Sequence, residues 1–427
     1  MADDARTADA GGPAAARPDR ASTDRAGTDH ASTDRASTIR SARGRVAGGW
    51  GMTATIAWRN LSHDPIRLAA TIVGIVFSVL LMGMQMGLLL YFIHTTAVLV
   101  DHAGADIWVS ANGVNTVDLS TPLSDRWRYH AKAMPGVARA ESYIVDIAAW
   151  KRGNGTRESV ILVGVDVDAT MGQPWSMQDG IKAADALAMP DGVIVDRMYA
   201  DKLGVSRIGE TFEINDRKVR VAGFTYGIRT FTQSPYVFTT LDRARHLAGR
   251  DRDHISYVLV AVAPGHAPDK VLADLRERLV ETEVLLAPDL SERSSNYWLL
   301  STGAGMSLIM SGLLGLLVGG VVVAQTLYAS TMDRMPQYST IRAMGGPTSY
   351  LVRIVLVQAG LSGVIGYVIG MVGVAGIVFA LRDASASPEL PAWLGAGIGV
   401  ITLATCLIAS LASLSKINRI DPTRVFR

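Results

Sequence analysis

Residues 68–100 read LAATIVGIVFSVLLMGMQMGLLLYFIHTTAVLV, without one Asp, Glu, Lys or Arg. A helix needs about 20 mostly apolar residues to cross a bilayer, so this run reads as a membrane span with some overhang. It is too long for a cleaved leader and no small-residue cleavage pattern closes it. Three further stretches are equally free of charge: 294–332, 354–381 and 390–415. No other part of the chain qualifies. The decisive feature is therefore one span, a gap of roughly 200 residues, and then three spans close together.

Composition agrees. The chain has 427 residues, 49% of them hydrophobic and only 19% charged, with 42 glycines. Its mean hydropathy is +0.23, whereas a soluble domain carries about 25% charged residues. A net charge of +2 offers no basic field for nucleic acid. The single cysteine, Cys406, excludes a disulfide scaffold and a Cys-cluster metal site. The eight histidines include no pair at a ligand spacing such as H-x-x-x-H.

Orientation follows from short flanks rich in Lys and Arg. Arg40, Arg43, Arg45, Arg59 and Arg67 precede the first span. Arg334, Arg342 and Arg353 lie around the loop between spans two and three, and Lys416, Arg419, Arg424 and Arg427 form the tail. The loop between spans three and four holds Arg382 at its edge, then Asp383 and Glu389. Four spans place the three basic segments on one side. The expectation is a multi-pass protein of the inner (plasma) membrane with cytoplasmic termini and an outer domain between spans one and two.

Residues 1–51 are expected to be a disordered cytoplasmic tail. Within them Ala21-Ser-Thr-Asp-Arg25 recurs as Ala26-Gly-Thr-Asp-His30, Ala31-Ser-Thr-Asp-Arg35 and Ala36-Ser-Thr-Ile-Arg40, too poor in large apolar residues to build a core. Met52 is an alternative start. Residues 52–66 suit an amphipathic interfacial helix with Trp58 at headgroup depth. The remaining expected segments are span one at 67–100, the outer domain at 101–297, span two at 298–330, a cytoplasmic coupling helix at 331–349, span three at 350–381, a short outer loop at 382–391, span four at 392–415 and a cytoplasmic tail at 416–427.

The outer domain reads as α+β. Alternation marks strands at 105–109, 144–148, 160–163, 219–222 and 257–261. Asn154-Gly155 and Asn215-Asp216 mark tight turns. Pro268-Asp269 opens a helix over 269–281, with Val271, Leu272, Leu275 and Leu279 on its buried face. Asn154-Gly155-Thr156 also fits a glycosylation acceptor, though a hairpin turn accounts for it. The fold class is an α-helical membrane protein with four transmembrane helices plus a large α+β extracytoplasmic domain between helices 1 and 2.

Catalytic signatures are absent. There is no G-x-x-x-x-G-K-[ST] phosphate loop, no G-x-S-x-G elbow and no H-E-x-x-H. Asp166 and Asp168 share a face at strand spacing, which suits a solvated edge better than a general acid and base without a nucleophile. No charge inside the spans serves a proton- or ion-coupled carrier. Gln85 and Gln325 are the most polar side chains at membrane depth and are candidates to pair across helices. Gly315 and Gly319 in span two, and Gly363, Gly366, Gly370 and Gly373 in span three, form small-residue faces. They serve either packing within one bundle or a dimer interface.

The loop Asp333-Arg-Met-Pro-Gln-Tyr-Ser-Thr-Ile-Arg-Ala-Met-Gly-Gly-Pro347 predicts a short cytoplasmic helix. Pro336 opens it, Tyr338, Ile341 and Met344 fall roughly on one face, and Gly345-Gly346 ends it. This stretch resembles the FtsX-like permeases of ABC systems, which include macrolide-exporter (MacB-like) and lipoprotein-release permeases. Their coupling helix has the form E-I-[GA]-x-L-R-A-[LI]-G, and here Arg342, Ala343 and Gly345 match while Gln337 replaces the usual acid. Ala57-Trp-Arg-Asn-Leu61 and Arg419-Ile-Asp-Pro-Thr-Arg-Val-Phe426 resemble the family too, the latter most like the DevC branch of exporter permeases.

The resemblance implies a half-transporter with no nucleotide site or cofactor of its own. ATP and Mg would be bound by a separate ABC ATPase subunit that docks at Pro336, Gln337, Tyr338, Ile341, Arg342, Met344 and Gly345. A second permease copy forming a homodimer, a membrane-fusion adaptor protein and the lipid bilayer complete the implied partners, with no nucleic acid. The implied action is mechanotransmission, in which ATPase closure moves the outer domain to export or extract a lipophilic or amphipathic substrate. Two other functions fit the residues: signalling to an extracytoplasmic hydrolase, and a membrane-anchored binding or assembly protein without ATP.

Overall fold

The computed structural model describes residue 59 and residues 65–345, 347–384 and 386–417, all within one compact unit, Ala54–Arg427. The expected tail 1–51, the interfacial segment 52–66 apart from Arg59, Pro65 and Ile66, the motif at 57–61 other than Arg59, and the tail motif at 419–426 lie outside the described residues.

Helix α1 (Pro65–Thr95) is the first span. At about 1.5 Å per residue it rises about 46 Å, more than the roughly 30 Å of a hydrocarbon core. It ends earlier than the apolar run, because the hydroxyls of Thr95 and Thr96 donate to the carbonyls of Tyr91 and Ile93 and compete with the helical ladder. A short α2 (Val98–His102) leads into the domain.

The domain then contributes β1 (Ile107–Ala111), β2 (Leu123–Ser124), α3 (Arg126–Lys132), β3 (Val137–Lys151), β4 (Arg157–Val165), α4 (Ala183–Ala188), β5 (Gly192–Asp196), α5 (Ala200–Leu203), β6 (Thr211–Ile214), β7 (Arg217–Thr225), β8 (Tyr236–Thr240), α6 (Leu241–Ala248), β9 (His254–Ile255), β10 (Tyr257–Val262), α7 (Pro268–Arg278), β11 (Thr282–Leu286) and α8 (Ala287–Asn296). Nine strands form one sheet in the order β11-β1-β10-β3-β4-β8-β5-β7-β6. The pairs β4–β8 and β5–β7 run parallel and the other neighbours antiparallel.

Its two faces bury separate apolar clusters. One holds Trp150, Val160, Val237, Leu241 and Leu275. The other holds Trp108, Tyr143, Ile161, Tyr236 and Leu259. Strand β5 is buried along its whole length, so its short apolar run lacks the alternation that betrays half-buried strands. The Asn215-Asp216 turn has φ of +48° and +61°, the left-handed pair that a two-residue hairpin requires.

After α8 a wide turn, Tyr297–Ser301, precedes α9 (Gly303–Asp333), the second span. Thr302 caps α9, its hydroxyl accepting from Gly305 N, which places the helix start later than hydropathy alone suggests. Helix α10 (Met335–Ala343) follows, then the third span α11 (Thr348–Ala380) and the fourth span α12 (Ala392–Ile417).

Span one packs against spans two and three, and span four packs against both of these and more lightly on span one. The glycines set these distances. A Cβ at Gly315 would lie 2.8 Å from Leu81, at Gly319 2.5 Å from Ser78, at Gly366 2.5 Å from Ile75 and at Gly370 2.7 Å from Val79. Gly373 meets Leu80 and Gly363 meets Cys406 of span four. All six glycines pack against a neighbouring helix of the same chain. Large apolar side chains such as Phe77, Leu314, Leu317, Val372 and Ile408 point outward instead, as lipid contact demands.

Gln85 and Gln325 do not pair. Gln85 lies beside Gly315, whereas Gln325 sits ten residues further along the same helix, about 15 Å away, and is exposed. Asp166 lies 3.6 Å from Arg128, and burial raises its carboxyl above the ordinary range.

Candidate functional site

Two junctions join the spans to what lies beyond them. The first is α10. Tyr338 is buried, packed with Leu351 and Val355 of span three and with the partly buried Met335, Ile341 and Val352. Its hydroxyl donates to Gln358 Oε1 at 2.9 Å, and burial holds the phenol above its ordinary range. The hydroxyls of Ser339 and Thr340 donate to the Met335 and Pro336 carbonyls at 3.0 Å, so both are satisfied within the helix itself. Gly345, at φ +86° with no neighbour near its Cβ position, supplies the left-handed residue that ends it.

The outward residues are Pro336, Gln337, Thr340, Ala343 and Met344, at helical spacing along one side. Tyr338, Ile341 and Met344 therefore do not share a face. Tyr338 and Ile341 turn to span three, because an aromatic and a branched apolar chain gain more from burial than from solvent, while Met344 points out. Ala343, which matches the motif, and Thr340, which the sequence does not single out, join this outward row, as the i, i+3, i+4 pattern from Pro336 contains them. The Arg342 side chain lies outside the described residues.

The second junction joins the large domain to the opposite ends of the spans, through the loop between β7 and β8. Phe231 at its tip lies 5.2 Å from Phe92 of span one, edge to face, and 4.3 Å from Trp298 ahead of span two, measured between ring centroids. Tyr91 donates to the Thr230 carbonyl at 3.4 Å. Tyr226 donates to Asp383 at 2.5 Å and Arg229 to the Arg382 carbonyl, reaching the loop after span three. His94 pairs with Glu389 at 2.6 Å across that same loop.

The domain holds this loop rigidly. The buried Asp196 carboxylate accepts from Ile228 N at 2.8 Å, Thr225 Oγ1 at 3.0 Å and Met198 N at 3.0 Å. Tyr199 accepts from Thr230 N, and Lys202 donates to the Gln233 carbonyl at 2.7 Å. Three charge-assisted bonds to one buried carboxylate make a stiff mount. Behind Trp298, its indole N–H donates to Thr116 Oγ1 at 2.9 Å and Ser294 Oγ accepts from Val117 N.

Next along that segment, Asp118 accepts from Tyr236 at 3.1 Å. Its other oxygen has no partner. Burial pushes the Asp118 carboxyl up to about 7, against the opposing pull of the Tyr236 hydrogen bond. No cluster of three His, Cys, Asp or Glu able to hold a metal occurs among the described residues. The described residues thus place a helix docked on span three at one end of the bundle, a domain held to the spans at the other, and close-packed helices between.

A family model described as MacB-like periplasmic core domain matches residues 68–278, and one described as FtsX-like permease C-terminal matches residues 309–422. The chain is similar to an uncharacterized ABC transporter permease of Mycobacterium tuberculosis, 23% identical over 375 residues that cover 87% of this chain and 98% of the relative. A second uncharacterized ABC transporter permease, from Methanocaldococcus jannaschii, is 24% identical over 172 residues, 39% of this chain and 42% of the relative. Among solved structures, the periplasmic region of MacB from Actinobacillus actinomycetemcomitans aligns at 12% identity with a TM-score of 0.35, covering 45% of this chain and 94% of that one.

Proposed function

We propose that this chain, an ABC transporter permease of the MacB and FtsX type, passes the motion of a separate ATPase subunit to its outer domain without conducting substrate through its spans. The termini and α10 then lie in the cytoplasm, as the basic flanks favour. The ATPase, which carries ATP and Mg, meets the outward row Gln337, Thr340 and Met344. The observation that carries this reading is the double attachment: α10 is pinned to span three by Tyr338, and the domain is pinned to spans one and two by Phe231.

A rigid transmission needs contacts at both ends and few voids between, and the glycine-spaced bundle supplies the middle. The charge-free stretches 68–100, 294–332, 354–381 and 390–415 offer no charged side chain at membrane depth to select a polar solute. A lipophilic or amphipathic substrate met on the outer side fits best, with export aided by an adaptor bound to the domain. Two copies of the permease would face two ATPase subunits. Because the glycine faces are occupied within each chain, the homodimer contact falls on other surfaces.

Crosslinking tests the reading. In a complex with the cognate ATPase, Gln337→Cys and Met344→Cys are expected to form adducts with the ATPase subunit, whereas Lys270→Cys in the outer domain forms none. Absence of ATPase adducts from both α10 positions contradicts it.

A further inference from the structure

At the foot of the bundle, spans two, three and four enclose a recess of about 20 Å³ lined by Ser330, Thr331, Arg334, Gln358, Ser362 and Ser410, with apolar walls. Arg334 is 5% exposed and Gln358 7%. The Tyr338 phenol lies beside Arg334. The guanidinium hydrogen-bonds to that phenol, and no ion pair of Arg334 occurs among the described residues. Gln358 Oε1 is taken by Tyr338, which turns Nε2 the other way, and Nε2 has no hydrogen-bond partner. The Thr331 and Ser410 hydroxyls already donate to the Leu327 and Leu407 carbonyls.

The recess therefore gathers a buried cation and an unused amide donor, with the hydroxyls of Ser330 and Ser362 close by. No acidic side chain lines the recess. A buried charge without a counter-charge is costly, and an unmet buried donor adds to that cost. We infer that the recess binds one small monatomic anion of the chloride class between Arg334 and Gln358. Size selects the class. A space somewhat above the roughly 10–15 Å³ that admits one water takes a single chloride and is too small for a whole phosphate or a carboxylate group.

Position gives the site its consequence. Arg334 separates span two from α10, and Gln358 is the residue to which Tyr338 is bonded. An anion bridging the two ties the root of α10 to span three from a second direction. The inference rests on these residues alone and stands whether or not α10 meets an ATPase.

The test uses the full-length chain purified in detergent, unfolded by heat at constant ionic strength while sodium chloride replaces sodium gluconate. The expected result is a saturable rise in Tm of a few degrees, by preferential binding to the folded state, with bromide acting like chloride. Arg334→Gln is expected to abolish the response, and Gln358→Ala to raise the half-saturating concentration several-fold. If Arg334→Gln does not fold, Gln358→Ala and Ser362→Ala decide the matter. A crystal soaked in bromide should show an anomalous peak between Arg334 and Gln358. An equal chloride response in wild type and variants, no response in wild type, or a response to anionic phospholipid in place of halide would each overturn the inference.

Discussion

The Tyr338 hydroxyl donates to Gln358 Oε1 across 2.9 Å, so the one aromatic residue of α10 is spent on span three and not on a partner. This bond and the apolar contacts around it make α10 part of the bundle. Tyr338→Phe keeps the packing and loses the bond, at a cost of about 1 kcal/mol. Tyr338→Ala also opens a cavity and costs roughly 3 kcal/mol or more. We expect ATPase binding to survive both changes, since the outward row is intact. ATP-driven function should fall modestly in the first and be lost in the second. Pull-down of the ATPase alongside a transport or growth assay checks the split.

The glycine faces predict a steric effect inside one chain. A Cβ at Gly366 already falls 2.5 Å from Ile75 Cγ2, so Gly366→Leu forces spans one and three apart, costing about 1–3 kcal/mol or more. Gly366→Leu paired with Ile75→Ala is expected to recover much of the loss. Thermal unfolding in detergent measures both. Loss of a dimer with an unchanged Tm would assign this face to a second copy instead.

At the other junction, Phe231→Ala removes the ring held between Phe92 and Trp298, and Asp196→Ala frees the donors of Met198, Thr225 and Ile228. Both changes should leave insertion and ATPase binding intact while uncoupling the outer domain. Limited proteolysis within 226–234, accelerated several-fold in each variant, is the readout. Equal protection in variant and wild type would show that the loop is held by other contacts.

Asp118 gives a pH dependence with a definite sign. Its carboxyl titrates near 7 when folded against an ordinary 3.8, so the folded state holds this proton more tightly than the unfolded one. That contribution is fully present below about pH 4, declines as pH rises toward about 7, and is absent above it. Asp118→Asn is expected to flatten the slope between those limits and to stabilise the domain at about pH 8. Urea unfolding followed by tryptophan fluorescence at several pH values reports it. A slope as steep in the variant as in wild type would assign the effect elsewhere.

Much of this architecture is legible in the chain. Charge-free runs reveal the spans because a bilayer core tolerates few charges, and period-two alternation reveals β3, β4, β7 and β10. Strand β5, at Gly192–Asp196, escapes because burial on both faces erases alternation. The ends of spans one and two are set by hydroxyls, at Thr95, Thr96 and Thr302, which hydropathy does not register. The inward turn of Tyr338 depends on where span three lies, and the Phe92–Phe231–Trp298 contact joins residues far apart in sequence. No local pattern announces such a meeting. Packing glycines were visible, but which helix each would face was a question of tertiary arrangement.

The central claim is that ATPase closure at α10 moves the outer domain through the bundle. The most direct measurement places a spin label at Lys270→Cys, an exposed position in the outer domain, in both copies of the complex with its ATPase; the native Cys406 is buried. Pulsed dipolar spectroscopy then compares the nucleotide-free and ATP-trapped states. The account predicts a shift in the label-to-label distance when ATP is trapped, lost in Phe231→Ala although nucleotide binding persists. An unchanged distance in the unmodified junction, with the ATPase demonstrably closed, would contradict it.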